Sequence, residues 1–325
     1  MVNETKAAKT MTCEACGAAC QRFGKHRNGL QRFRCLTCKK TYTENHERTL
    51  GTMYVTAEKA SLALRLLLEG NSLRSTQRIT DLDINTIMSL LVKAAERCQS
   101  LMDARMQNLT MKHIQIDEIW TYVQKKNRHV RKGDSPEVGD AWVFVAIDAD
   151  TKLVPAFHVG KRHREDTRDF LWNLYNRIEG RTQITTDGLH HYTAGVPDAF
   201  GLDVDFAQVV KLFGEWGQQS ADARYSPSPI VDVISKVRTG NPDPDHISTS
   251  YVERQNLTMR MAIRRFTRLT NAFSKKLANL KAAVALHFAY YNFCRVHKSL
   301  RVTPAMEARL TDHVWTIGEL IQGGV

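Results

Sequence analysis

Four cysteines in two pairs restrict the fold near the start of the chain more than any other feature. Cys13 and Cys16 form one Cys-x2-Cys pair, Cys35 and Cys38 form a second, and 18 residues separate the pairs. Pairs at this spacing are typical of a four-cysteine zinc site, in which each pair lies on a tight knuckle. So small a unit buries too little apolar surface to fold alone, so we predict a zinc ribbon over residues 1–50 whose structural Zn²⁺ supplies its stability. All four cysteines are its expected ligands.

A fifth cysteine lies close to these ligands. Cys20 follows the first pair by four residues, and it is either a spectator or an alternative ligand. Lysines and arginines surround the cysteines, and a basic ribbon is typical of a module that contacts nucleic acid or protein. The first 20 residues contain no apolar segment of the kind found in secretory signals. We therefore expect a cytoplasmic protein, in which cysteines are reduced and available to a metal.

The charge of the chain indicates a polyanionic partner. The 325 residues carry a formal net charge of +12, and 42% of them are hydrophobic, as in ordinary globular proteins. From Arg254 to Arg301 there are eleven Lys or Arg residues and no Asp or Glu. A solvent-exposed helical face usually carries both positive and negative side chains. This purely basic run therefore favours nucleic-acid binding over a surface that only confers solubility. No apolar run is long enough to cross a bilayer, so we expect no membrane partner.

Residues 51–105 have the periodicity of helices. The segment AEKASLALRLLLEG has apolar residues at helical spacing and ends at Gly70, and SLRSTQRIT reads as a short helix. Asp83 is placed to cap a longer helix that starts with INTIMSLL. Two short helices before a longer one are typical of a helix-turn-helix DNA-binding domain, although a plain three-helix bundle has the same pattern.

Residues 110–325 alternate strands with helices. Strands are predicted in HIQIDEIWTYV, AWVFVAIDAD, KLVPAFHVG, TQITTDGLHHY and VDFAQVVKLF. A helix is predicted in REDTRDFLWNLYNRI. Residues 214–247 are rich in Ser, Pro, Asp and Gly, so we interpret them as a loop or insertion. The expected class is a multi-domain α/β protein.

Three acids stand out by their positions in these elements. Asp117 lies inside the first strand among apolar residues, Asp187 ends the fourth strand before a glycine, and Glu253 lies in the first turn of a late helix. A buried carboxylate is costly unless it is paired or bound to a metal, and neighbouring carboxylates need a cation between them. Mg²⁺ and Mn²⁺ prefer such oxygen ligands. Asp148 and Asp150 also follow a strand, and Glu118 is adjacent to Asp117.

Glu253 has a second interpretation. Ser250-x-x-Glu253 matches the capping box, in which both side chains bond to backbone amides at the start of a helix. If the helix continues, one face of it carries the acid together with an amide and several guanidinium groups, which suits a phosphate backbone passing a metal. Those candidate DNA-binding residues are Arg254, Asn256, Arg260, Arg264 and Arg268. The alternative role for this face is ion pairing between Glu and Arg side chains on a solvent-exposed helix.

In combination, these motifs resemble a known family. The segments IQIDEIW, ITTDGLHHY and SYVERQN, after a zinc ribbon and a helix-turn-helix, are similar to the DDE transposases of bacterial insertion sequences. The insertion-sequence-one family is the most similar, and the tail YYNFCRVHKSLRVTPAMEA resembles the end of such enzymes. The resemblance implies an RNase H-like core with a mixed five-stranded sheet flanked by helices, and a nucleoid-associated bacterial protein.

The resemblance also implies an activity. Asp117, Asp187 and Glu253 match the acids that bind two Mg²⁺ or Mn²⁺ ions in the family, so we expect a transposase that cleaves a strand and joins its 3′ end to target DNA. Its partners would be terminal inverted repeats, target DNA and further copies of the chain. The alternatives are an RNase H-like nuclease or resolvase without strand transfer, and a non-catalytic DNA-binding protein. The sequence assigns no role to His190 or His191.

Overall fold

The computed structural model describes residues 11–26, 30–44, 50, 53–214, 229–267 and 270–322. The chain divides into two compact units, Met1–Ala60 and Ser61–Val325, and the boundary lies within the helix α1 (Ala57–Leu68). In these described residues, no helix has the length and apolarity that crossing a membrane requires.

The first unit contains a small antiparallel sheet. Its strands follow one another in chain order, and each pairs with the next. They are β1 (Met11–Thr12), β2 (Ala19–Lys25), β3 (Gln31–Cys35) and β4 (Thr41–Thr43). Cys13, Phe33 and Cys35 are the buried apolar side chains of this sheet region. So few buried side chains agree with a unit that depends on a metal rather than on a core.

Two helices follow α1 in the second unit, α2 (Leu73–Thr80) and α3 (Ile84–Arg105). The turn between them is tight, because Asp81 adopts a left-handed conformation with φ of 55°. Asp83 caps α3 as predicted, since its side chain accepts a hydrogen bond from the Asn85 amide. The buried side of α3 consists mainly of Leu, Ile, Ala and Met.

A mixed six-stranded sheet forms the centre of the second unit. Its order is β10-β9-β8-β5-β6-β7; β8 pairs in parallel with β5 and β9, and the other pairs are antiparallel. The strands are β5 (His113–Val123), β6 (Gly139–Asp148), β7 (Ala156–Gly160), β8 (Thr182–Thr186), β9 (Val204–Phe213) and β10 (Ile230–Thr239). The parallel pairing of β5 with β8 ends at Ile116 and Thr186, and β5 continues beyond it along β6 to Val123.

The expectation of five strands is corrected by this topology. Part of the segment 214–247, interpreted from the sequence as a loop or insertion, forms the sixth strand β10, which pairs with β9 along most of its length. IVDVISKVRT is rich in β-branched residues, and this propensity prevails over the Ser, Pro and Gly residues that flank it. Residues 215–228 of the same segment lie outside the described residues.

Helices cover the sheet. They are α4 (Arg164–Tyr175), α5 (His190–Phe200), α6 (Ser250–Ala262), α7 (Leu277–Phe293), α8 (Pro304–Glu307) and α9 (Ile317–Gln322), with short 3-10 turns at Asn127–His129, Pro244–His246 and Arg264–Phe266. The helix α3 packs against α7 and α9. Residues 61–105 and 110–322 therefore share one compact unit, and DNA binding by α2 and α3 stays a prediction.

The late helix is shorter than the sequence pattern suggested. α6 ends at Ala262, and Ile263 has an extended backbone with φ of −102° and ψ of 106°. The chain leaves the helix there because Ile263 and Phe266 turn into the protein, where they are 6% and 3% exposed. The prediction that one helical face continues from Glu253 to Arg264 is therefore wrong. Arg268 lies outside the described residues.

Candidate active site and metal centres

The four paired cysteines converge in the first unit. Their sulfur atoms all lie within 4.8 Å of one another, with Cys13 Sγ 3.4 Å from Cys38 Sγ and Cys16 Sγ 3.5 Å from Cys35 Sγ. Four thiolates around Zn²⁺ at about 2.3 Å have sulfur separations of about 3.8 Å. Gly17 and Lys39, which follow the two pairs, have φ of 70° and 61°, as a tight turn requires. The geometry fits a zinc site.

Hydrogen bonds favour the thiolate form of two of the four cysteines, Cys13 and Cys35, whereas the neighbouring sulfurs raise the pKa of Cys16. Tyr42 Oη lies 3.1 Å from Cys13 Sγ, and this contact lowers the pKa of the Cys13 thiol to about 6. The Cys38 backbone amide donates to Cys35 Sγ at 3.4 Å and is the main cause of a lowered Cys35 pKa. Cys20 is outside the group of four, and its Sγ is 4.0 Å from the Ala18 carbonyl oxygen. Of the two interpretations of Cys20, the spectator fits this placement.

Asp117, in the middle of β5, and Asp187, just after β8, meet where the parallel pairing of these two strands ends. Ile116 is in register with Thr186 at the last pair of this parallel ladder, so each aspartate is the next residue along. One oxygen of Asp117, one of Asp187 and one of Glu118 lie within 4.8 Å of one another. The fold thus brings together two of the three acids expected from the sequence, from positions 70 residues apart in the chain.

Glu118 is a member of this cluster that the sequence did not select. Its side chain is 1% exposed, and both of its oxygens are engaged. Tyr192 of α5 donates to Oε1, and Arg162 donates from Nε to Oε2 at 3.1 Å. Arg162 also reaches Asp187 Oδ2, at 3.4 Å, and its guanidinium lies 4.7 Å from the ring centre of Trp142. Glu118 is therefore fixed between α5 and the loop that follows β7.

Burial and mutual repulsion raise the pKa values of these carboxyls. Burial, followed by the charge of Asp187, raises the pKa of Asp117 to about 6 and that of Glu118 to about 8. Burial likewise raises the pKa of Asp187, against the opposing effect of the Leu189 backbone amide that donates to it. A divalent cation would relieve this repulsion, since it stabilises the ionised forms. The donor set consists of oxygens, which suits Mg²⁺ or Mn²⁺.

The raised pKa of Asp117 should make the stability of the second unit depend on pH. Because the Asp117 pKa in the folded protein, about 6, exceeds its ordinary value of 3.8, ionising this group opposes folding as the pH rises from about 4 to 6. Without divalent ions other than zinc, we expect Asp117→Asn to stabilise the second unit at pH 8 by on the order of 2 kcal/mol. The gain should shrink as the pH falls below 6, as urea denaturation at several pH values would measure. A gain that is independent of pH would contradict this origin.

A side chain of β5 holds the start of α6. Gln115 Oε1 accepts hydrogen bonds from the backbone amides of Tyr251, at 2.8 Å, and Val252, at 3.2 Å. These amides belong to the first turn of the helix, where donors otherwise lack partners. Gln115 thereby fixes the start of α6 to the strand that carries Asp117, two residues further on. The two polar residues at i and i+2 of a buried strand, Gln115 and Asp117, share one face of the sheet.

The capping box predicted as an alternative does not form. Thr249, rather than Ser250, precedes the helix, and the Thr249 side chain does not accept a hydrogen bond from any first-turn amide. The Ser250 hydroxyl instead contacts Ser248 Oγ at 3.0 Å. The cap is supplied over a long range by Gln115, which local sequence could not reveal. Glu253 is therefore not required as a helix cap.

Glu253 lies near the acidic cluster but not in it. Its carboxylate is paired with Lys211 of β9 and accepts a hydrogen bond from Thr249 Oγ1 at 2.6 Å. Its negative charge still contributes to the raised pKa values of Asp117 and Asp187, so the three groups interact. The Glu253 side chain is 41% exposed, in contrast to that of Glu118. Its partner Lys211 also interacts with Asp187.

The residues predicted to bind DNA occupy different environments. Asn256 is 8% exposed, and its Nδ2 donates to Asp117 Oδ2 at 2.9 Å, so it supports the cluster from α6. Arg254 on α6 is exposed, and Arg260 is half-buried near the end of the helix. Arg264 is exposed on the 3-10 turn that follows. The guanidinium groups are thus spread over two elements rather than one helical face.

A compact network holds the loop that carries Arg162. Asp166 on α4 accepts from the Lys161 backbone amide at 3.0 Å and lies 2.7 Å from His158 Nε2. A Cβ atom at Gly160 would lie 1.8 Å from the Asp166 carboxylate, so only glycine fits at this position. The loop geometry, and with it the placement of Arg162 over the acids, depends on this close approach.

The two histidines without an assigned role begin α5. The ring centres of His190 and His191 are 3.8 Å apart, and His190 is exposed. Burial, and then the charge of His190, lowers the pKa of His191. His163 and Arg162 contribute to the same effect, so several basic groups lie near His191. Neither histidine belongs to a group of metal-ligand geometry among the described residues.

No protein-family model matches this chain, and no curated protein matches it significantly. Solved structures with some similarity include a piggyBac transposase synaptic complex with hairpin DNA, with a TM-score of 0.39, 9% identity and coverage of 85% of this chain and 71% of that chain. A Mos1 transposase paired-end complex with the left transposon end has a TM-score of 0.21, 13% identity and coverage of 51% of this chain and 62% of that chain. A pre-cleavage Mos1 transpososome has a TM-score of 0.23, 10% identity and coverage of 76% of this chain and 80% of that chain. Similarities this distant carry no weight for the function of this chain.

Proposed function

We propose that the chain is a DNA transposase with an RNase H-like core, which cleaves DNA strands and transfers their 3′ ends with the help of divalent ions. The observation that carries the proposal is the meeting of Asp117 and Asp187 where the parallel pairing of β5 with β8 ends, within 4.8 Å of a third carboxyl. Burial and neighbouring carboxylates raise the pKa values of both groups, and a divalent cation would relieve this repulsion.

Mg²⁺ or Mn²⁺ held by Asp117 and Asp187 would activate the attacking oxygen and stabilise the leaving oxygen of a phosphodiester. The protein's own part is to hold the two carboxylates in place. Asn256 orients Asp117 from α6, and the Leu189 amide orients Asp187. Gln208 Nε2 donates to the Asp187 carbonyl oxygen at 2.9 Å, which fixes the backbone of that turn.

Glu253 is the better candidate than Glu118 for the third carboxylate. Both oxygens of Glu118 accept hydrogen bonds, from Tyr192 and Arg162, so this side chain would have to give up one of these contacts to bind a metal ion. Glu253 is partly exposed, and its main partner is a lysine side chain that can move. We propose that Lys211 is the counter-ion of Glu253 until divalent ions bind, and that Glu253 then completes the site.

The charge of the chain supports nucleic acid as the substrate. The net charge is +12, and the run from Arg254 to Arg301 contains no acid. Arg162 contacts Glu118 and Asp187, and phosphate groups of a bound strand would meet positive charge there. In this proposal the zinc ribbon and the helices α2 and α3 bind the terminal inverted repeats, and target DNA lies along the basic surface.

Replacing the two glutamates separately tests the assignment. We expect Glu253→Gln to lose cleavage and strand transfer by at least about a hundredfold, because the amide cannot supply the charge that holds a divalent ion. Its thermal stability should change little, since no packing is lost. Glu118→Gln should keep most activity, because the amide oxygen can still accept from Arg162 and the amide nitrogen can donate to the Tyr192 hydroxyl. The reverse ranking of the two variants would assign the third ligand to Glu118.

The products of the reaction distinguish the proposal from a nuclease. A substrate that carries the DNA flanking the gene is incubated with the protein, a supercoiled plasmid and Mg²⁺. A transposase yields plasmid covalently joined to the 3′ ends of the substrate. Cleaved substrate without joined plasmid would indicate a nuclease or resolvase, and DNA binding without either product would indicate a non-catalytic protein.

A further inference from the structure

The strand β10 (Ile230–Thr239) presents an unusual edge of the central sheet. Among the described residues it pairs on one side only, with β9, and its other side is free. Nine of its ten residues are exposed. The opposite edge of the sheet, β7, has only five residues, two of them buried. A long exposed edge strand offers unpaired amides and carbonyls to another strand, and natural proteins usually protect such edges.

The side chains of this edge are largely apolar. Exposed fractions are 66% for Val231, 51% for Val233, 38% for Ile234 and 59% for Val237. Bulges interrupt the pairing with β9 near both ends of the strand, whereas residues 232–237 are paired in regular register. The Val233 amide donates to Asp232 Oδ1 at 2.8 Å, so a partner strand that used this amide would have to replace that bond. Among the described residues, β9 is the only strand that pairs with this stretch.

The sequence of β10 is complementary to itself when reversed. In an antiparallel pair of two β10 strands centred on Ile234, Asp232 of each copy faces Lys236 of the other, and Val231 faces Val237. Ile234 then faces its own copy on the twofold axis. Lys236 has no partner among the described residues, so its charge is available for this contact. Moving the centre to Val233 would place Asp232 opposite Ile234 and Lys236 opposite Ile230.

We infer that two copies of this chain associate through their β10 strands, antiparallel about Ile234, and form one continuous sheet of twelve strands. Such a twofold contact uses the same surface on both copies. Main-chain hydrogen bonds supply the association, the Asp232–Lys236 pairs fix the register, and the valines lose exposed area. The inference does not depend on the catalytic role of the acidic cluster, because its readout is the state of association.

Charge reversal tests the register. Lys236→Asp brings two like-charged pairs into the dimer, as does Asp232→Lys, and each should weaken the dimer by about tenfold as measured by analytical ultracentrifugation. The double variant Asp232→Lys/Lys236→Asp restores opposite charges and should return the dissociation constant to within about threefold of the original. Single variants that dimerise as well as the original, or a double variant that does not recover, would overturn the inference.

Cysteine cross-linking tests the centre. Opposed residues of antiparallel strands have Cα atoms about 4.5–5.5 Å apart, within the range of a disulfide. Ile234→Cys should therefore give a disulfide-linked dimer on mild oxidation. The matched control is Val231→Cys, whose two copies would be about 20 Å apart and should stay unlinked. Equal linkage of both variants contradicts the register.

The chain's own residues 215–228 are the competing occupant of this edge. A protein that stays monomeric at high micromolar concentration, with β10 amides protected from hydrogen exchange, would show that the edge is covered within one chain and would overturn the inference. Protection of the β10 amides that rises with protein concentration supports it.

Discussion

Replacing either aspartate of the central cluster, by Asp117→Asn or Asp187→Asn, is expected to lower strand cleavage by at least about a thousandfold, equivalent to roughly 4 kcal/mol of activation free energy. The reason is that each asparagine keeps the shape of the side chain and removes the charge that a divalent ion needs. Cleavage of DNA that carries the gene's flanking sequences, in Mg²⁺ and in Mn²⁺, is the measurement. Retained cleavage by either variant would remove that residue from the site.

Asp150→Asn is the matched control for these variants. Asp150 also follows a strand, but its side chain is half-exposed and pairs with His113 at 3.1 Å, away from the carboxyl cluster. This variant should keep its cleavage activity. All three variants should bind DNA as the original does, because the proposed recognition elements are the zinc ribbon and the helices α2 and α3. Loss of binding by the Asp117 variant would point to a fold defect.

The second large effect is expected at the zinc ribbon. Cys35→Ser should abolish stoichiometric zinc and unfold the small sheet β1–β4, because zinc binding supplies about 10 kcal/mol or more to comparable small units. The second unit, with its own core, should remain folded, and binding to the element's ends should weaken. Elemental analysis of the purified protein and amide spectra of the two units would measure these effects.

Cys20→Ser is the control for this experiment. Cys20 is outside the group of four sulfurs, so this variant should retain one zinc ion per chain and a folded ribbon. Full zinc content in the Cys35→Ser protein would show that another ligand replaces Cys35 or that the metal lies elsewhere. Zinc loss in Cys20→Ser would make Cys20 a ligand.

Elements with strong local patterns could be predicted from the sequence. The strand HIQIDEIWTYV corresponds to β5 and VDFAQVVKLF to β9 with the expected bounds, and Asp83 caps α3. The meeting of Asp117 with Asp187 was expected through a resemblance, and the parallel pairing of β5 with β8 gives it a geometric basis. The two Cys-x2-Cys pairs predicted the group of four sulfurs that the first unit contains.

Contacts between distant segments could not be predicted in this way. The capping of α6 by Gln115 joins residues 136 apart, whereas the local pattern offered a capping box at Ser250 as one interpretation. Arg162 and Tyr192 reach Glu118 from a loop and a helix that no local pattern connects to β5. The end of α6 at Ala262 depends on the burial of Ile263 and Phe266. β10 was missed because its flanking residues favour turns.

The central claim is that Asp117 and Asp187 hold divalent ions, and direct binding of Mn²⁺ tests it most simply. Zinc-loaded protein would be titrated with Mn²⁺ at pH 8, and bound ion would be counted by electron paramagnetic resonance. We expect saturable binding in the original protein and in Asp150→Asn, and its loss in Asp117→Asn and Asp187→Asn. Equal binding of Mn²⁺ by the original protein and the Asp117→Asn variant would contradict the claim.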